Sequence, residues 1–420
     1  MVLVLLLLGG LFTVLTLRDE PAEGAGAVDS ILRQVAPVVE KAASAGLVVV
    51  AGEGGEDEAF VAALLRRLAE EKSLTAVAVA RQPAEAREKL SAQPDAVVIA
   101  SARAAAWTVV DARRDGLIVP QSGKRSVFLT SRNLLNITNQ IAVIAILALG
   151  MTMVIIVRGI DLSVGSLIAL SAVVTTWLMA RHLGGPSTGV GGMVVAGTAG
   201  VAVGAVAGAC SGALVAWWRV PAFIATLAMM LVAGGAAFKI SGGESINQVP
   251  ASFNWLGLQA TAGVPHTVWL LALVALAAHV FMTRTVIGRH IYASGGNPEA
   301  ARFSGISLGR IRLIVFTFCG GLAGLGGVVV ASQFTSGTPT YGQLAELDAI
   351  AAAVVGGTSL EGGRGNIPGT LIGALIIAVI RNGMNLTGVD PYAQKIWLGL
   401  VILGAVLLDR RPNISGKIGG

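Results

Sequence analysis

Charged side chains are scarce in this 420-residue chain, where Asp, Glu, Lys and Arg together make up 13%, about half the usual share of a soluble globular protein. Hydrophobic residues reach 54% and the mean hydropathy is +0.75, more apolar surface than a soluble core absorbs. Cysteine is nearly absent. Cys210 and Cys319 sit in apolar runs without partners at metal-ligand spacing, so neither a disulfide scaffold nor a zinc site is implied. Four histidines, His182, His266, His279 and His290, fall at no HExxH-like spacing. No GxxxxGK[ST] occurs, so ATP, if used, is hydrolysed by another polypeptide. The sequence thus offers no catalytic residue, no metal ligands and no bound cofactor.

What charge there is lies unevenly. Sixteen of the 24 acidic residues fall between Arg18 and Thr130, leaving eight for the rest. That stretch nets about −2 and the remainder about +8, within an overall +6. A basic surplus confined to short loops speaks for membrane orientation and against nucleic acid.

A bilayer core of about 30 Å requires about 20 apolar residues in helix. Ten stretches qualify or nearly so, near 1–17, 137–157, 164–180, 189–218, 222–240, 267–283, 313–332, 345–357, 369–384 and 392–408. The one near 345–357 covers only about 20 Å, which predicts a broken or partly inserted helix. The fold class expected is an all-α polytopic membrane protein of about ten spans with broken or re-entrant segments, plus a small extracytoplasmic α/β insertion. The divisions are a first transmembrane helix at 1–17, the insertion at 18–130, a transmembrane domain at 131–410 and a cytoplasmic tail at 411–420. Arg284, Arg289, Arg302, Arg310 and Arg312 mark one loop as cytoplasmic, as do Arg410, Arg411 and Lys417 in the tail. Parity then puts residues 18–130 outside. No small-residue cleavage site follows Leu17, so the first span is expected to remain as an anchor.

Glycine is abundant, with 55 residues. Gly200, Gly204, Gly208 and Gly212 form a four-residue ladder, and Gly320 and Gly324 with Ala323 and Gly327 form a second small-residue stripe. Both let a neighbouring helix approach closely, most simply within one subunit. In the insertion, Leu47 to Ala51 and residues 74–80 and 95–101 read as strands, and 57–71 and 83–91 as helices. Its glycine loop Gly52-Glu53-Gly54-Gly55 is ringed by Glu53, Glu56 and Asp57, which puts negative charge where a phosphate would sit. The strand–helix alternation is similar to half a lobe of a periplasmic sugar-binding protein, but an inert folded insertion is the simpler reading.

From Phe128 onward several long motifs occur in order: Asn133-Leu134-Leu135-Asn136, Gly150-Met151-Thr152, Gly159-Ile160-Asp161-Leu162-Ser163-Val164-Gly165-Ser166 and Pro221-Ala222-Phe223-Ile224-Ala225-Thr226-Leu227, then Gly295-Gly296-Asn297 with Ala300-Ala301, Glu346-Leu347-Asp348-Ala349-Ile350 and Gly356 to Gly363. Over nearly 290 residues the chain resembles the permease subunits of ribose-, xylose- and galactose-type ABC importers. The resemblance implies a membrane-spanning permease of the bacterial inner membrane, forming the path for a monosaccharide. Its partners would be a second permease copy, a cytoplasmic ATPase carrying ATP and Mg, an extracytoplasmic sugar-binding protein and the lipid bilayer. Glu299, Ala300, Ala301 and Gly305 would form the coupling helix that docks on the ATPase. Candidates for the translocation path or its gate are Asp161, Ser163, Phe223, Thr226, Glu346, Asp348, Thr358 and Ser359. A carboxylate such as Asp161 near hydrocarbon is costly unless paired or solvated, so it is either functional or a helix cap. Glu346 and Asp348, two apart, point away from one another on a helix. The 110-residue insertion and the unflanked first span depart from the family pattern.

Three rival readings remain. A branched-chain amino acid permease is the nearest, and the Asp161 turn and the Gly356–Gly363 run favour sugar over it. A secondary transporter or channel would need an intramembrane proton or ion relay, and an intramembrane enzyme a nucleophile or metal pair.

Overall fold

The computed structural model describes residues 1–21, 24–35, 46–70, 77–112 and 117–409; the basic tail residues Arg410, Arg411 and Lys417 lie outside them. The chain forms two compact units, Met1–Leu15 with Phe128–Gly420, and Thr16–Val127. Helix α1 (Val2–Leu15) is shorter than the 1–17 span read from hydropathy, because Leu17 already begins strand β1 (Leu17–Pro21), which pairs antiparallel with β6 (Ser122–Ser126). This stem brings the two ends of the insertion together.

Within the insertion lie α2 (Val28–Val35), β2 (Leu47–Val50), α3 (Gly55–Glu70), β3 (Val77–Ala80), α4 (Pro83–Ala92), β4 (Val97–Ala100) and β5 (Leu117–Ile118). The strands run parallel in the order β3-β2-β4-β5. Both faces are covered, so β2 reads as an unbroken apolar run. Leu47 and Val49 pack with Ile31, Phe60 and Leu64, and Val48 and Val50 with Ala86 and Leu90 on the other face, as the two-residue strand period requires. The acidic loop is internally occupied: Asp57 accepts from Gly52 N (3.0 Å), Glu53 from Gln82 (2.9 Å), and Glu56 pairs with Arg103 (2.5 Å).

The larger unit continues with α5 (Ser131–Ile156), α6 (Val164–His182), α7 (Val190–Ala216), α8 (Ala222–Ser241) and α9 (His266–Arg284), then α10 (Val286–Gly296), α11 (Pro298–Phe303), α12 (Leu308–Phe334), α13 (Ala345–Val355), α14 (Ile367–Leu386) and α15 (Pro391–Asp409). Each of the ten apolar stretches holds a helix. Seven helices among the described residues are long and apolar enough to cross a membrane, which makes this a multi-pass membrane protein. Helix α5 is the hub, buried almost continuously from Ile141 to Ile156 and packed on α9, α12, α13 and α14. Asn133 and Asn382 exchange amide hydrogen bonds across α5 and α14, 2.9 Å each way, so two buried polar groups satisfy one another.

The two glycine stripes meet. A Cβ on Gly204 would lie 2.5 Å from the Gly320 carbonyl, one on Gly208 would strike the Phe316 carbonyl, and one on Gly324 would come within 2.9 Å of Val201 Cα. Helices α7 and α12 therefore touch backbone to backbone, while Gly200 faces Thr175 of α6. Gly208→Val forces these backbones apart and is expected to lower the melting temperature of the purified protein by the equivalent of about 1–3 kcal/mol or more. Gly235→Ala, where nothing lies within 4 Å, does not lower it, because alanine suits a helix interior better than glycine.

Candidate functional site

Helix α5 ends at Ile156, and the chain reverses at Arg158 in the left-handed region (φ 62°). Arg158 Nε donates to the Gly295 carbonyl (2.7 Å) and Nη2 to that of Gly296 (3.1 Å). Gly363 N donates to the Ile156 carbonyl (2.9 Å). Gly295 sits directly on that same carbonyl, where any side chain would collide, and a Cβ on Gly363 would lie 2.5 Å from Gly296 Cα. Gly362 and Gly363 hold φ of 83° and 72°, a conformation cheap only for glycine. Tyr292 of α10 completes the knot by donating to the Gly365 carbonyl (2.9 Å), and burial raises its phenol above the ordinary range. Three motifs far apart in sequence, at 156–159, 292–296 and 362–365, thus form one latch.

The latch carries α11. Asn297 caps this short helix by accepting from Ala300 N (3.0 Å). Glu299 and Ala300 are exposed, whereas Ala301 is buried within its own chain and Gly305 (φ 82°) stands free of neighbours. The small positions are therefore not both on the open face: Ala301 packs inward. Phe303 is the residue that sequence reading missed. It is 84% exposed, a large aromatic presented at the end of a polar helix, and only the fold could reveal that its side chain has nothing to cover.

The second cluster lies deeper. Between α5 and α6 residues 157–163 form no helix or strand, and Asp161 is fully buried beside Cys319 of α12. Its Oδ1 accepts from Ser163 N (2.9 Å) and Ser163 Oγ (2.6 Å), and the Thr226 hydroxyl of α8 is shared between the Ala222 carbonyl of its own helix (2.9 Å) and the Ile160 carbonyl (3.2 Å). These side chains supply hydrogen bonds to backbone groups that a broken helix leaves open, the condition for irregular backbone at membrane depth. Thr358 and Ser359 are likewise buried in the turn that carries the latch. Phe223 is exposed on α8.

Glu346 and Asp348 diverge. Asp348 pairs with Arg381 of α14 (2.5 Å). Glu346 lines a cavity of about 530 Å³ between α6, α8 and the 339–346 segment, with Ser166, Tyr341 and Gln343. Gly165 and Gly342 make room for it: a Cβ on Gly165 would lie 2.5 Å from the Gly342 carbonyl and would strike the Glu346 carboxylate. Among the described residues no group of His, Cys, Asp and Glu is placed to hold a metal.

The helical bundle with broken helices, a glycine-welded latch and an exposed short helix is matched by membrane permeases. Residues 133–408 match the family described as "Branched-chain amino acid transport system / permease component", and the chain belongs to this family. The Ribose import permease protein RbsC of Escherichia coli (strain K12) is 46% identical over 290 residues, covering 68% of this chain and 88% of the relative. The RbsC of Bacillus subtilis (strain 168) is 41% identical over 295 residues, 68% and 87%. The Xylose transport system permease protein XylH of Escherichia coli (strain K12) is 35% identical over 351 residues, 67% and 86%. No solved structure matches.

Arg158→Gly removes the guanidinium bonds yet suits the left-handed backbone. The expected outcome is that amides of residues 297–303 exchange hydrogen at least about tenfold faster while those of α12 do not change; unchanged exchange at 297–303 would refute the latch.

Proposed function

We propose that the chain is the membrane-spanning permease subunit of an ATP-driven importer of a monosaccharide of the ribose and xylose class. The observation that carries this reading is its 46% identity to a ribose import permease along 88% of that protein. The relatives are sugar permeases, so the sugar reading fits better than the branched-chain alternative in the family's description.

In this reading ATP and Mg are held by a partner ATPase and this subunit has no enzymatic activity. Helix α11 docks in a cleft of that ATPase, with Phe303 as its apolar anchor and Glu299 and Ala300 on the same open face. Movement passes through the latch to α5, α10 and the 356–365 turn as rigid-body motion, since no proton transfer is needed. The sugar passes the cavity at Glu346, Gln343, Tyr341 and Ser166, whose hydrogen-bonding groups suit hydroxyls and whose α8 wall a second permease copy completes. Asp161, Ser163 and Thr226 hold the broken helix that shapes this path. A sugar-binding protein delivers substrate from outside, where residues 18–130 lie, and the C-terminus is cytoplasmic.

Reconstituted with its ATPase and binding protein, the subunit is expected to take up ribose or xylose only when ATP is present. Phe303→Ser should insert and purify normally but retain less than about a tenth of coupled uptake, a loss equivalent to about 1.4 kcal/mol or more at the docking contact. Uptake driven by a proton or sodium gradient without ATP would overturn the assignment. In a Cys210→Ser background, needed because Cys210 is exposed, single cysteines at Glu88 and Ser307 should react with impermeant reagent from opposite sides of the membrane. Reaction from the same side would refute the orientation.

A further inference from the structure

A cavity of about 740 Å³ opens at the basic end of the bundle, between the ends of α5 and α7, the start of α8 and the start of α12. Sixteen residues line it, four of them arginines, Arg158, Arg219, Arg302 and Arg312, and none acidic. Among the described residues none of the four forms an ion pair. Arg158 spends two of its donors on the Gly295 and Gly296 carbonyls and Arg302 lies over the Phe303 ring, but no acidic side chain in the lining offsets the four charges; solvent screens part of their repulsion, and an anion in the space would remove the rest. The backbone adds to the same field. Helices α8 and α12 both begin at the cavity without a side-chain cap, leaving first-turn N–H groups open. The carbonyls at the end of α5 are already engaged, those of Met153, Val154, Ile155 and Ile156 by the Val157-to-Gly159 turn and Gly363; at the end of α7 those of Ala213 and Leu214 are taken by Trp217 and Val220, which leaves the Val215 and Ala216 carbonyls to be outweighed by the four guanidinium charges. Arg219 keeps its place at φ 55°, where glycine would be unstrained.

We propose that this cavity binds a phosphate-bearing anion, and that the anion is the headgroup of an acidic phospholipid. Two observations favour a lipid over a free ion. Trp217 and Trp218, beside Arg219, are 63% and 68% exposed, the placing of aromatic residues at a membrane–water interface. The remaining wall is mostly apolar, including Val215, Val220, Pro221 and Phe316, which suits a glycerol backbone beneath its phosphate. Basic pockets between membrane helices recognise headgroups in this way, and guanidinium forks pair with phosphate oxygens two at a time.

The test uses the full chain, delipidated in neutral detergent, with phosphatidylglycerol, phosphatidylcholine and inorganic phosphate as probes. Native mass spectrometry should show phosphatidylglycerol retained and phosphatidylcholine lost. Retention should fall at least about tenfold, the worth of one lost charge-assisted contact, in Arg219→Gln/Arg312→Gln, while Arg310→Gln, outside the cavity, binds as the unmodified chain does. Millimolar inorganic phosphate that displaces the lipid and raises the melting temperature equally would support the anion site with a soluble phosphate as its source. Equal retention of the two lipids, or undiminished binding by the double variant, would overturn the proposal. Should the double variant not fold, the comparison of the two lipids on the unmodified chain decides alone. None of these readouts depends on transport, so the proposal and the permease reading fail separately.

Discussion

Backbone meeting backbone, with no side chain between, is the constraint on which this molecule rests. At Gly295 the chain lies against the Ile156 carbonyl, and Gly363 lies against both. The contact lets a surface helix of six residues, too short to be stable alone, inherit the rigidity of the hub helix α5. The same device joins α7 to α12 through Gly204, Gly208, Gly320 and Gly324. In a bilayer there is little hydrophobic drive for helices to associate, so close van der Waals approach has to do what burial does in water. Fifty-five glycines are the compositional trace of that requirement.

Broken backbone inside the bundle sets the second requirement. Each irregular stretch leaves N–H and C=O groups that hydrocarbon cannot satisfy. Here the answer is local: Asp161 serves Ser163, and Thr226 serves the Ile160 carbonyl. Polar residues that the sequence offers for a transport path thus also hold backbone here, as Asp161 does for Ser163. The polar wall that remains open, at Ser166, Gln343 and Glu346, is shaped by the absence of side chains at Gly165 and Gly342. The 161–163 support and the cavity are close in the chain, since α6 begins at Val164 and contributes Gly165 and Ser166 to the cavity wall.

Two of the contacts proposed for this subunit fall at its basic end. Phe303 is exposed there, where the proposed ATPase contact would use it, and the four-arginine cavity proposed to hold an anion lies beside it. Docking and lipid binding at one end of one helix bundle would place the coupling movement within reach of membrane composition.

Hydropathy alone located a helix at all ten stretches, because length and apolarity are properties of the chain itself. It missed the ends: α5 begins at Ser131, six residues before the apolar core, and α1 stops at Leu15 because β1 pairs with a strand more than 100 residues away. The strand–helix alternation of the insertion was legible for the same reason as the spans, since period and composition are local. Which glycine faces which was not. Gly295 and Gly363 read as flexible loop residues until the fold sets them on one carbonyl, and Asp161 and Glu346 are equally plausible path residues until one is enclosed and the other left open. Pattern reports what each segment prefers, whereas who touches whom across long stretches of chain is settled by packing, a property of the whole bundle that no local window contains.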